Sequence, residues 1–235
     1  MGVKAEVMTV DEARELVSNQ LLWPLVRNFL WDFSTQVHKS WIEGLGSLDH
    51  LGILELLENL MSNPRVKRHV LSSLGVEPFF HVFPKDDLSR VLLLDSATLE
   101  SVAKWLGALA CAESLRHVTD GATVRKLKAA LSGVYPEVFG YTAYFTGFDF
   151  KRSGSEPQIA QDDKLQESVI KTGYAILLSA VASLPRPLVV RFERKLPKGE
   201  SLQRCDFAFK EDMSRSAILK LLKLKFPEAY KLCCS

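Results

Sequence analysis

Apolar residues in this chain recur at intervals of three and four along most of its length, and that period admits helices before it admits anything else. The clearest run is Leu99, Val102, Ala103, Leu106, Leu109 and Ala110, which puts one apolar stripe on a helix expected over Ser96 to Val118. An earlier stripe, Val10, Ala13, Val17 and Leu21, follows Thr9-Val-Asp-Glu12, where the Thr oxygen and the Glu carboxylate can satisfy the open donors of a first turn. Trp23-Pro24 ends that run, and Leu25, Phe29, Phe33 and Val37 carry a second amphipathic helix to Trp41. Leu48, Leu51, Leu54, Leu56, Leu57, Leu60 and Met61 cover more than one face of a third, opened by Ser47, so it is expected to lie centrally. Asn63-Pro64 starts a short basic helix, Arg65 to Leu74, which Gly75 closes as a left-handed C-terminal residue. Further helices are expected over Asp86 to Leu94, Ala122 to Leu131 and Ser214 to Phe226. A long one carries Leu165, Val169, Gly173, Ile176, Leu177, Ala180 and Leu184 and stops at Leu184-Pro185.

Two stretches depart from this pattern. Tyr135, Phe139, Tyr141, Tyr144, Phe145, Phe148 and Phe150 concentrate aromatics, and the polar tract Lys151-Arg-Ser-Gly-Ser-Glu-Pro-Gln158 follows them. The tract is the natural linker. It divides a helical region ending in the aromatic-rich segment, residues 1–150, from a C-terminal helical region, residues 164–235, with 151–163 as linker or loop, and packing of the two as a single domain is the alternative. Beyond Pro187 the period shifts towards two: Leu188, Val190 and Phe192 alternate with Val189, Arg191 and Glu193, and Cys205, Phe207 and Phe209 with Arg204 and Asp206. That alternation suggests a short β-hairpin near residues 188–209, although the same residues allow a helix from Leu188 to Lys195. The expected fold is therefore mainly α, an irregular multi-helix array with one candidate hairpin. An exposed hairpin edge could pair with a partner's sheet, and Arg191, Phe192, Arg194 and Lys195 are the candidate protein-binding residues on it.

With 47% hydrophobic and 25% charged residues the composition is that of an ordinary globular chain. Its charge is uneven, since residues 185–235 carry 12 Lys and Arg against 6 Asp and Glu, a basic end suited to an acidic partner. Lys4, Glu6, Asp11 and Glu12 interrupt the N-terminus, so no export signal is expected there. The longest weakly polar stretch, Tyr174 to Leu184, is well short of the ~20 residues that cross a bilayer. Cys233-Cys234-Ser235 hints at lipidation, but Leu232 stands where prenylation needs a cysteine.

The chemistry-bearing residue types do not assemble into a site. Cys111, Cys205, Cys233 and Cys234 include no Cys-x-x-Cys pair, and His38, His50, His69, His81 and His117 include no i, i+4 pair to hold zinc. Gly44-Leu-Gly46 lacks a preceding strand to aim it at phosphate, and no nucleophile elbow or phosphate loop occurs. Glu55 with Glu58, and Asp86 with Asp87, read as solvated helix faces. No enzyme activity, metal, cofactor or small-molecule substrate is expected. An alternative is nucleic-acid binding by the aromatic-rich segment 135–150 and neighbouring Lys151 and Arg152, but aromatics at helical spacing suit a core or a partner groove better.

The C-terminal third carries Gly173-Tyr-Ala-Ile-Leu-Leu-Ser-Ala180, the Leu184-Pro185 stop, Arg191-Phe-Glu-Arg-Lys-Leu-Pro197 and a final Leu/Lys-rich helix ending Phe226-Pro227. Arg68-His-Val-Leu71 and Phe83 to Leu94 precede them in a similar order. Together these resemble the SctK family of type III secretion accessory proteins, which includes YscK, PscK, MxiK and OrgA. The aromatic-rich segment and the polar tract look like insertions relative to that family. The resemblance implies a non-enzymatic adaptor of the injectisome sorting platform that links the inner-membrane ring protein SctD to the platform protein SctQ. It places the chain in the bacterial cytoplasm at the base of the apparatus, touching the membrane only indirectly.

Overall fold

The computed structural model describes residues 19–20, 22–42, 63–76, 83, 89–146, 165–199 and 210–234. The described residues form α-helices and 3-10 turns, with no strand among them. In chain order the helices are α1 (Leu22–Trp31), α2 (Lys39–Ile42), α3 (Pro64–Ser73), α4 (Ser96–Ala110), α5 (Ala112–Arg116), α6 (Gly121–Leu131), α7 (Val134–Glu137), α8 (Leu165–Ala180), α9 (Arg186–Lys195), α10 (Glu211–Lys225) and α11 (Pro227–Cys234). The 3-10 turns are Phe33–Gln36, Ser89–Leu93, Val138–Gly140 and Thr142–Phe145.

The helix ends follow local chemistry. Asn19 Oδ1 accepts the Leu22 N–H at 2.9 Å, so α1 begins before Pro24, whose fixed φ suits a first turn. Asn63 caps α3 by accepting the Arg65 N–H at 3.0 Å. At the other end Gly75 takes φ +70°, its N–H bonds to Ser72 O and that of Val76 to Leu71 O, which closes the last turn as the sequence anticipates. Asp120 caps α6 through the Thr123 N–H at 2.7 Å, and those bonds hold its carboxyl below the usual carboxylate range.

The described residues gather into two compact units. One draws on Met1–Ser96, Ser183–Gly199 and Leu232–Ser235, the other on Ala97–Ala182 and Glu200–Lys231. In the first, Phe29 stacks edge-on against both Phe33 and Phe83, at 5.7 and 6.1 Å between centroids, and α1 packs against the turn Ser89–Leu93. Val26, Phe29, Val91, Leu92, Leu188 and Phe192 have no exposed surface and form its core. In the second unit α8 is apolar nearly all round, with ten buried residues, and packs against α6 and α10. Arg215 donates from Nε to Ala180 O at 3.2 Å, so α10 satisfies a carbonyl left open where α8 ends.

Where α4 crosses α8 the backbones touch. A Cβ on Gly107 would overlap the Val169 carbonyl oxygen, and one on Gly173 the Ala103 carbonyl oxygen. These two glycines set the interhelical distance.

Four expectations change. The described residues of the helix expected over Asp86 to Leu94 form the 3-10 turn Ser89–Leu93. The amphipathic pattern from Leu25 to Trp41 is one helix by period, yet α1 ends at Trp31 and a 3-10 turn and α2 follow. The reason is tertiary: Val37 is extended and the His38 N–H bonds to Arg194 O at 2.8 Å instead of continuing a helical ladder. The helix over Ser96 to Val118 bends at Cys111, although the N–H groups of Cys111 and Leu115 keep their i−4 partners, so the apolar period runs through unbroken. Of the two readings from Leu188, the helix holds, as α9, and the strand does not. The helices expected from Thr9 and from Ser47, the tract 151–163 and the second hairpin strand lie outside the described residues.

Substituting Gly107→Ala or Gly173→Ala should destabilise the chain by about 1–3 kcal/mol or more, because backbone on the opposing helix must move. Gly121→Ala, with open space around its Cβ position, should be neutral or slightly stabilising. Urea unfolding of the three variants separates these outcomes, and equal midpoints would contradict the close crossing.

Candidate functional site

The candidate binding residues all fall on α9, and two prolines explain why this stretch is helical. Pro185 stands at the N-cap and accepts the N–H groups of Leu188 and Val189 at 2.9 and 3.2 Å, while Pro187 lies in the first turn, where φ is already helical and no N–H is needed. Leu188 and Phe192, two residues of the period-two pattern, are also four apart, so one helical face buries both. Alternation and helical spacing coincide over so short a run.

Burial then decides the fate of each charge. Arg191 is 2% exposed, Phe192 fully buried and Lys195 1% exposed, whereas Arg194 keeps a partly open side chain. Lys195 donates from Nζ to the carbonyl of Leu92 at 2.8 Å and sits 5.5 Å from the Phe29 ring centroid. Desolvation pushes its pKa down to about 7, against the pull of Asp95. Arg191 donates to Pro187 O at 3.2 Å, and burial lowers its pKa to about 10.

Arg194 gathers the most distant pieces of chain. Its guanidinium lies 3.9 Å over the Trp41 ring, its Nε donates to Leu74 O at 2.7 Å, and its carbonyl accepts from His38. Trp41 in turn donates from Nε1 to Leu196 O at 2.8 Å, and Ser40 Oγ accepts the Lys198 N–H at 2.8 Å. Buried Glu193 faces two cations, Arg186 at 3.4 Å and Arg194 at 3.9 Å. Burial depresses the Arg194 pKa, and Glu193 offsets part of that depression. The structure therefore brings all four candidates together, but turns Arg191, Phe192 and Lys195 inward.

A second cluster stands in the other unit and has no counterpart in the sequence reading. Lys225 Nζ lies 4.5 Å from the Trp105 ring centroid and 4.4 Å from that of Tyr141, and it donates to Glu137 and to the Tyr141 hydroxyl. Burial works against its charge, but these hydrogen bonds outweigh it and raise its pKa above the usual lysine value. Trp105 meets Tyr141 edge-on at 5.4 Å. The one available signal was a lysine in the last turn of a basic helix; its partners are remote in sequence.

In the aromatic-rich segment Tyr135 and Phe145 are buried and Tyr144 is 54% exposed. No group of His, Cys, Asp and Glu among the described residues could hold a metal ion. Cys111 is buried beside Thr172, and desolvation raises its thiol to about 11, which keeps it protonated and unreactive near neutral pH.

Because Lys195 has a folded-state pKa of about 7 against 10.5 for a free lysine, the unfolded chain holds more protons between those values. Stability should rise with pH through that window, by up to about 1.4 kcal/mol per pH unit, and level off below it. Lys195→Met should flatten the rise, measured as unfolding free energy against pH; an unchanged slope would assign the dependence elsewhere.

A comparison with family models matches residues 34–234 to the family described as YOP proteins translocation protein K (YscK). No match is found among curated proteins or among solved structures. The matched span takes in the whole second unit, the first unit from residue 34 up to Cys234, and every helix from α2 to α11. On that span the chain belongs to the YscK family, the SctK proteins of type III secretion.

Proposed function

We propose that this chain is a non-enzymatic adaptor of a bacterial injectisome, joining the inner-membrane ring protein SctD to the sorting-platform protein SctQ. The observation that carries the reading is the family match over residues 34–234, which assigns a role in type III secretion. Two compact units, each with its own buried core, offer two separate bodies for two protein partners. The ionisable groups with the largest downward shifts, Lys195 and Arg191, donate to backbone carbonyls inside the first unit, an arrangement that suits support better than turnover.

On this reading the four α9 residues divide their work. Arg194, the least buried, contributes to a partner contact, while Arg191, Phe192 and Lys195 hold the helix that presents it. The chain acts in the cytoplasm at the inner face of the membrane ring. No helix of the described residues is long and apolar enough to cross a membrane, which accords with attachment through proteins.

Co-expression tests the reading directly. The full chain should co-purify with the cytoplasmic domain of the ring protein when the platform protein is absent, and with the platform protein when the ring protein is absent. Failure to retain either one would overturn it. Arg194→Ala should weaken one of the two associations, with an expected loss of about 1–3 kcal/mol if the guanidinium is buried by the partner.

A further inference from the structure

Three large apolar side chains are exposed among the described residues, Trp31, Tyr144 and Leu224, and the last two belong to the second unit. A strip runs where α10 meets the turn Thr142–Phe145. At one end Lys225 Nζ lies 4.4 Å from the Tyr141 ring centroid, and at the other Lys220 Nζ lies 5.6 Å from that of Phe145. Tyr144 falls between Tyr141 and Phe145 on the turn, and Leu224 between Lys220 and Lys225 on the helix. Tyr144, 54% exposed, lies 6.1 Å from the Tyr141 centroid, and Leu224, 38% exposed, directly precedes Lys225, so the two exposed side chains flank the same Lys225–Tyr141 contact.

The rim of the strip is basic. Arg116 donates to Thr142 Oγ1 at 2.9 Å and lies 5.7 Å from the Phe139 centroid, Lys220 and Lys225 cover rings on the α10 side, and exposed Lys223 adjoins Leu224. Glu137, a carboxylate bonded to this rim, is engaged by Lys225. The acidic residues of α10, Glu211 and Asp212, stand in its opposite first turn.

We propose that this strip docks an acidic segment of a protein partner, with an aliphatic or aromatic side chain laid against Tyr144 and Leu224 and carboxylates meeting Arg116 and Lys223. It rests on the adaptor reading for the class of partner and adds the surface. Apolar contact supplies affinity, and the cations steer encounter and set orientation. The contacts among Trp105, Tyr141, Lys225 and Glu137 hold the strip in place before binding, so little ordering cost remains. A protein segment fits better than single-stranded nucleic acid, because Tyr141 and Phe145 already face the chain's own lysines and Tyr144 is the exposed ring among the segment's described residues.

Fluorescence anisotropy with the purified full chain tests this, using a short peptide alternating Glu and Leu, its Lys and Leu counterpart, and an oligothymidylate. The Glu and Leu peptide should bind and its Lys counterpart should not. Lys223→Glu, which leaves both ring contacts in place, and the double variant Tyr144→Ser with Leu224→Ser should each weaken binding by about tenfold or more, with thermal unfolding unchanged. Absence of binding to the acidic peptide, equal binding by both variants, or preference for the oligothymidylate with the same sensitivity to substitution overturns the proposal. If the peptide behaves as expected while neither ring nor platform protein is retained, the adaptor reading falls and the surface stands. Retention of both proteins with a peptide that ignores the substitutions gives the converse.

Discussion

Taking a lysine and an arginine out of water costs on the order of several kcal/mol each unless their hydrogens find acceptors, and α9 buries both Arg191 and Lys195. The first unit is arranged around that requirement. Leu92 lends its carbonyl to Lys195 and Pro187, one turn back on α9, lends its own to Arg191, while Leu74 and Trp41 hold the partly open Arg194. Leu92, Leu74 and Trp41 come from different stretches of chain, so holding Lys195 and Arg194 and closing the core are one event. A helix that buried only leucines would bring similar affinity for the interior but would not specify which turn lies against it.

The second unit solves a different problem. Its central helix α8 is apolar on most sides, and such a helix has no intrinsic preference for its neighbour's position. Gly107 and Gly173 supply one by letting α4 and α8 touch backbone to backbone, a contact any larger side chain forbids. Polar links then orient the periphery: Arg215 reaches the end of α8, and Lys225 ties the aromatic-rich segment to α4 and α10. Charged groups that look like surface chemistry in the sequence serve in both units as internal fasteners.

This division shapes the functional reading. Membership of the YscK family assigns a role in type III secretion, and the adaptor role we propose on that basis needs exposed surfaces that keep their shape. The buried cations of α9 and the ring and carboxylate contacts of Lys225 give such shape, while the exposed Tyr144, Leu224 and Lys223 are what a neighbour would meet.

The sequence by itself determined the helical class, because spacings of three and four from Leu99 to Ala110 or from Leu165 to Ala180 leave no other element able to bury them. It also set the helix ends at Asn63, Gly75 and Asp120, where a side chain or a positive φ acts on its own neighbours. The candidate site was legible in position and misread in orientation. Arg191, Phe192, Arg194 and Lys195 do converge, but their alternation suits a strand and a short helix equally, and only groups arriving from far along the chain, Leu92 at Lys195 and Leu74 and Trp41 at Arg194, decide which of them is enclosed. The end of α1 at Trp31 and the ring contacts of Lys225 have the same cause. Local hydrogen bonds and periodicity act over a few residues and can be read from them, whereas which cation is desolvated, and by what, depends on partners that only the folded chain brings within reach.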